Sequence, residues 1–265
     1  VLVHSRAARL AHWTLFLLLV VPIFALPLLM VVGASFADRW DGALPSAFTA
    51  AHYVDLGRGQ SLDALVTSLS TALVAGLAAL TVGGWAALAA RGTGRRLRQL
   101  LDGLFMLPLA VPSVVVGLAL LVAFSKPPLL LNGTTTIVLL AHTVLVTSFA
   151  YQSVRAAIGR LDPALEQSAA GLGAPPARVL RRVTLPLLLP SLTAAFGLCF
   201  ALSMGELSAT MMLYPPDWLP LPVRIFAATD RGALFTGAAL AVALIASTLV
   251  VLAATARLRT RASYR

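Results

Sequence analysis

The chain has 265 residues, 59% of them hydrophobic and only 11% charged, against about 25% charged in an ordinary soluble domain. Lipid is therefore the expected solvent, and a water-soluble globular class is set aside. The formal net charge of +10 would suggest nucleic acid in a soluble protein, but its placement along this chain points elsewhere.

In chain order, charge-free windows run over Leu10 to Ala37, Ala64 to Ala90, Gly103 to Ser125, Pro127 to Val154, Val183 to Gly205 and Gly232 to Ala256. Each is longer than the ~20 residues a helix needs to cross a bilayer core. Strands would show alternation over about 10 residues, and none is visible, so a closed β-barrel is not expected. The expected fold is an all-α membrane protein in one transmembrane domain over residues 1–265, with spans at 12–36, 64–90, 103–125, 134–156, 186–210 and 232–256.

Arg6 and Arg9 precede the first apolar run. That run exceeds the roughly 7 to 15 residues of a signal-peptide core, so a permanent span is expected. The segment from Asp38 to Asp63 carries Trp40, Pro45 and Tyr53, which suit either an interface-lying element or a solvated loop with aromatic anchors. In the second span Ser68, Ala72 and Gly76 form one stripe of small residues and Ala79, Gly83 and Ala87 another. Such stripes let backbones approach closely and place this helix inside a bundle. Pro108 and Pro112 remove backbone donors from the third span and should kink it, either to line a path or for packing.

In the fourth span His142, Thr147, Ser148, Tyr151 and Gln152 are expected to make interhelical hydrogen bonds. The lone Cys199, in the fifth, has no intrachain partner. Glu206 falls late in that span, where it could line a path and meet an ammonium group or pair with a basic residue such as Arg224. Glu206, Ser208, Pro108 and Pro112 are the candidates for a solute path.

Cytoplasmic ends place 15 of the 20 basic residues inside: Arg6, Arg9, Arg91, Arg95, Arg96, Arg98, Arg155, Arg160, Arg178, Arg181, Arg182, Arg257, Arg259, Arg261 and Arg265. The positive-inside rule favours this topology, and the basic charge then calls for no nucleic-acid partner.

The inner connection at about 162–183 is not a simple linker. Asp162 can cap a helix, Pro163 suits its first position, and Glu166 lies in its first turn, where a carboxylate favours the dipole. Gly173 suits a left-handed stop, and a second short helix from Pro176 carries Arg178, Arg181 and Arg182 up to Leu185-Pro186. Within it, Gln167-Ser168-Ala169, three residues, Gly173, nine residues and Val183-Thr184-Leu185-Pro186 resembles the E-A-A-x-x-x-G-(nine)-I-x-L-P motif of permease subunits of binding-protein-dependent ABC importers. It departs at the lead position, where Gln167 replaces glutamate and Glu166 stands beside it.

The resemblance implies a type I importer permease with a coupling helix that docks on an ATPase subunit through Glu166, Gln167, Ser168, Ala169, Gly173, Arg178, Arg181, Arg182, Leu185 and Pro186. The arginines could equally anchor the loop to anionic lipid. Leu107-Pro-Leu-Ala-Val-Pro112-Ser-Val-Val-Val-Gly117 is similar to importers for ferric iron, thiamine, polyamines and phosphonates. The run Gly205 to Pro216, with Leu221 to Phe226 and Thr229 to Gly232, is similar to 2-aminoethylphosphonate permeases.

No G-x-x-x-x-G-K-[ST] loop can exist where the sole lysine is Lys126 in Ser-Lys-Pro-Pro. His4, His12, His52 and His142 make no metal spacing, and no serine lies in a nucleophile elbow. The chain is thus expected to be a non-enzymatic subunit that binds no cofactor, with ATP held by a pair of separate ATPase subunits. The family further implies a second permease subunit, identical or related, an extracytoplasmic solute-binding protein, and a bacterial plasma membrane with both termini cytoplasmic. An ion-coupled secondary transporter is the rival class, which would favour buried ionisable groups near the midplane and repeated halves.

Overall fold

The computed structural model describes residues 5–42 and 44–263; His4 and Arg265 lie outside them. The elements are α1 (Arg6–Ser35), β1 (Ala37–Arg39), β2 (Ser46–Phe48), α2 (Ala51–Leu56), α3 (Gly59–Ala89), α4 (Arg95–Ala110), α5 (Ser113–Ala123), α6 (Thr135–Ile158), α7 (Pro163–Gly171), α8 (Pro176–Val179), α9 (Leu185–Met204), α10 (Ser208–Leu213), α11 (Leu221–Asp230) and α12 (Leu234–Ser263). Among the described residues, five helices are long and apolar enough to cross a membrane, or six if the bent pair α4 and α5 counts as one span.

These residues form two compact units. The first runs up to Leu62 and takes in Arg224–Ala243. Its α1 starts under the Ser5 side chain, which accepts from the Ala8 amide, and exposes leucine and phenylalanine around its circumference, as a lipid-facing helix should. The segment after it is folded rather than a plain loop. β1 pairs antiparallel with β2, Ala37 opposite Phe48 and Arg39 opposite Ser46, and α2 sends the Tyr53 hydroxyl to Ser35 Oγ at 2.7 Å. Tyr53 also packs on Phe36, ring centroids 4.8 Å apart.

The second unit comprises Asp63–Val223 and the chain from Leu244 onward. Its core is α3, α6 and α9, and the small-residue stripes of α3 explain why. Ala72, Ala79 and Ala87 are fully buried. A Cβ on Gly83 would stand 2.8 Å from Tyr151 N and 3.0 Å from Thr147 O, both backbone atoms of α6. Gly76 likewise meets the Phe196 ring of α9. The third apolar window is broken: α4 and α5 meet at 103°, with Val111 extended (φ −102°, ψ 130°), as the residue before a proline prefers. Pro112 therefore sets the bend, whereas Pro108 sits inside a continuous α4. Gly117 then allows α5 to reach α10, since a Cβ there would come within 2.9 Å of Ala209 Cα.

Several helices outrun the expected spans, α1 from Arg6, α3 from Gly59, α4 from Arg95 and α12 to Ser263, and two boundaries differ in kind. The helix begun at Pro176 does not stop before Leu185-Pro186. It continues through a π turn, Leu180–Thr184, into α9. The wider turn, with the Leu185 amide bonded to Leu180 O, accommodates the missing amide of Pro186. At the other end, α9 stops at Met204 with Gly205 as its cap, and residues up to 210 belong to Gly205–Leu207 and α10. The expected span runs through Glu206 because apolar residues resume in α10.

Candidate functional site

The connection between α6 and α9 is built from local signals. Asp162 Oδ1 accepts from the Ala164 amide at 2.9 Å, Pro163 occupies the first helical position of α7, and Glu166 lies in its first turn. Gly173 turns the chain with φ +83°, a conformation open to glycine at little cost. Gln167, Ser168 and Gly173 are exposed and Ala169 is half-buried. Leu172 is 90% exposed, an apolar side chain held out on a rigid turn. Beyond it Arg178, Arg181 and Arg182, with Pro175 and Ala177, line a cavity of about 450 Å³. Leu185 is half-buried and Pro186 exposed where α9 begins.

Glu166 faces the protein instead. Its carboxylate accepts both terminal guanidinium nitrogens of Arg91, at 2.9 and 2.8 Å, and the Thr184 hydroxyl at 2.6 Å. Arg91 lies in the 3₁₀ turn that closes α3, and Thr184 closes the π turn ahead of α9. One carboxylate thus ties α7 to two of the long helices of the bundle. The Arg91 guanidinium, and after it the Thr184 hydroxyl, holds the Glu166 carboxyl below its ordinary range.

A second clamp stands midway along α4. Asp102 accepts from the Tyr151 hydroxyl at 2.6 Å, from Arg155 Nε at 2.8 Å and from its second nitrogen at 3.3 Å. Phe105 stacks on Tyr151 with centroids 4.5 Å apart. Sequence reasoning did not foresee either clamp. The available signal was the rarity of acid on an arginine-rich side: of Asp102, Asp162 and Glu166, one caps a helix and two hold arginines.

Of the path candidates, Pro108 is half-buried in α4, and Pro112 is exposed at the bend. Ser208 is exposed as the first residue of α10. Glu206 is half-buried, and its Oε1 accepts from the Ala209 amide at 2.8 Å, capping α10. Arg224, named above as a possible partner of Glu206, donates to Ser61 Oγ at 3.2 Å and Gln60 Oε1 at 3.0 Å within the first unit. His142 does link helices as expected. Its Nδ1 meets Ser203 Oγ at 2.7 Å and its Nε2 meets Thr210 Oγ1 at 2.8 Å, joining α6, α9 and α10. Among the described residues Thr147 bonds within its own helix, to Thr143 O.

Known proteins place this architecture. The chain matches the family model of the binding-protein-dependent transport system inner membrane component over residues 79–264. It is 45% identical, over 95% of both chains, to the "Putative 2-aminoethylphosphonate transport system permease protein PhnV" of Salmonella typhimurium. It is 36% identical, over 63% of this chain and 68% of the other, to the molybdenum transport system permease protein ModB of Mycobacterium tuberculosis. Its fold is shared with a bacterial ABC transporter for alginate import (TM-score 0.74, 18% identity, 97% of this chain and 96% of that one). The methionine transporter MetNI is similar too (TM-score 0.64, 15% identity, 76% and 95%). The chain therefore belongs to the binding-protein-dependent transport system inner membrane components, the permease subunits of ABC importers.

Proposed function

We propose that this permease forms half of the translocation path of an ATP-driven importer for 2-aminoethylphosphonate. The observation that carries the reading is the 45% identity to the PhnV permease over 95% of both chains. A match of that reach spans the coupling connection and the bend between α4 and α5 alike. The exposed side of α7, the left-handed Gly173 turn and the arginine-lined cavity suit docking to a soluble partner, while the Glu166 clamp would pass that partner's movement to α3 and α9.

In this reading the chain binds no cofactor of its own. Two cytoplasmic ATPase subunits hold and hydrolyse ATP, a second permease subunit completes the path, and an extracytoplasmic binding protein selects the solute. The chain sits in a bacterial inner membrane with both termini cytoplasmic, as the distribution of arginine favours. The test is uptake of labelled 2-aminoethylphosphonate into vesicles holding the complete transporter. Uptake should require ATP inside and binding protein outside. Transport of polyamine, thiamine or iron but not of the phosphonate would sink the solute, and uptake driven by an ion gradient without ATP would sink the class.

A further inference from the structure

A cavity of about 630 Å³ lies between the C-terminal part of α6 and the first half of α9, two residues from the connection that carries Glu166. Gln152, Ser153 and Arg160 line it on one side and Ser191 on the other. Among the described residues none of these side chains has a hydrogen-bonding or charged partner. Gln152, Ser153 and Ser191 are half-buried and Arg160 is exposed, so their polar atoms are open to a solute that enters the cavity. The lining contains no acidic residue, and the three carboxylates of this side are engaged elsewhere, Asp102 with Arg155, Glu166 with Arg91 and Asp162, two residues on from Arg160, with the Ala164 amide. Among the described residues Arg160 forms no ion pair with any of them, which leaves its guanidinium open at the rim.

We propose that this cavity receives the phosphonate group of the solute on its way through the membrane, with Arg160 as the attracting charge and Gln152, Ser153 and Ser191 as hydrogen-bonding groups. The assignment rests on the importer reading above. Guanidinium and neutral donors together suit a phosphoryl-type anion, and the volume falls within the ~300 to 1,000 Å³ of small-molecule sites. A lipid phosphate offers the same head group, but its chains need an apolar groove, and Leu198 is the one large apolar side chain in the lining.

Ser191→Cys in a Cys199→Ala background, carried in the complete transporter in inside-out vesicles, reports on the site. A negatively charged methanethiosulfonate should react faster than a positively charged one. Arg160→Gln should lower that rate ratio on the order of fivefold, as removal of one nearby charge in a wet site requires. Inorganic phosphate and 2-aminoethylphosphonate should each slow the reaction in vesicles of neutral phosphatidylcholine. An unreactive cysteine, an unchanged ratio, or protection by phosphatidylglycerol alone would each overturn the proposal. Arg160→Gln should also reduce phosphonate uptake with assembly intact. The two readings fail separately: a wild-type complex that does not import the phosphonate sinks the solute, whereas normal import with an unchanged ratio sinks the cavity.

Discussion

The two ends of the larger unit are held together by different means. Around the connection between α6 and α9, polar side chains join the elements, Arg91 and Thr184 to Glu166, Arg155 and Tyr151 to Asp102, and both ion pairs are partly exposed. Deeper in the bundle, backbones touch through missing side chains, Gly83 against α6 and Gly117 against α10, and a buried His142 is bonded on both ring nitrogens. Glycine contacts admit one arrangement, because any separation forfeits the packing. Ion pairs can stretch and re-form. In the proposed coupling, the end that would follow a moving partner is the one tied by the more adaptable links.

The largest effect should come from forcing the rigid end apart. Gly83→Val places a side chain against Tyr151 N at 2.8 Å and Thr147 O at 3.0 Å, neither of which can rotate away. Overpacking of this kind costs about 1 to 3 kcal/mol or more, so the variant should lose the intact complex on size-exclusion chromatography. Normal yield would show that α3 and α6 are not locked there.

Breaking the adaptable end should spare assembly. Glu166→Ala should leave the transporter intact and able to hydrolyse ATP, while uptake per ATP falls roughly fivefold or more, the scale of a typical coupling energy. The pH dependence has a definite sign. The Glu166 carboxyl is held below its ordinary value of 4.5 by Arg91 and Thr184. Its contribution to the clamp is thus fully present above that value and lost as pH falls through the lower, folded-state value. Thermal stability of wild type should contain an acid-side loss in that window which Glu166→Gln lacks. Identical acid profiles would remove the clamp from the account.

The smallest effect is expected at Glu206. Its carboxylate caps α10 through one backbone amide, and a glutamine oxygen can accept the same bond, so Glu206→Gln should cost less than about 1 kcal/mol of stability. A large loss of assembly would mean that its charge, and not its acceptor, is structural.

Legibility in the sequence follows the same division. Asp162, Pro163 and Gly173 act on their neighbours, so the start and stop of α7 could be read from residue types alone, as could the packed stripes of α3. Glu166 was placed in the right turn, but Arg91 lies 75 residues away, and no local pattern links them. Proline could be read as a break without saying which proline: Pro112 bends the chain, while Pro108 and Pro190 ride inside helices. The elbow at Gly205 coincides with the end of the charge-free window at Glu206, but a window end does not say whether the chain turns or the span runs on. Of the path candidates, Glu206 is the one whose side chain holds a specific partner, the Ala209 amide, three residues on.

The most direct test of the central claim, that Glu166 links the coupling connection to the bundle through Arg91, is a charge exchange. Uptake of 2-aminoethylphosphonate per ATP hydrolysed would be measured for Arg91→Glu, Glu166→Arg and the double variant in the complete transporter. Each single variant places like charges at a contact now 2.8 Å long and should uncouple hydrolysis from transport, while the double variant should recover a substantial part of the wild-type ratio. Additive losses, with the double variant no better than the worse single one, would contradict the account.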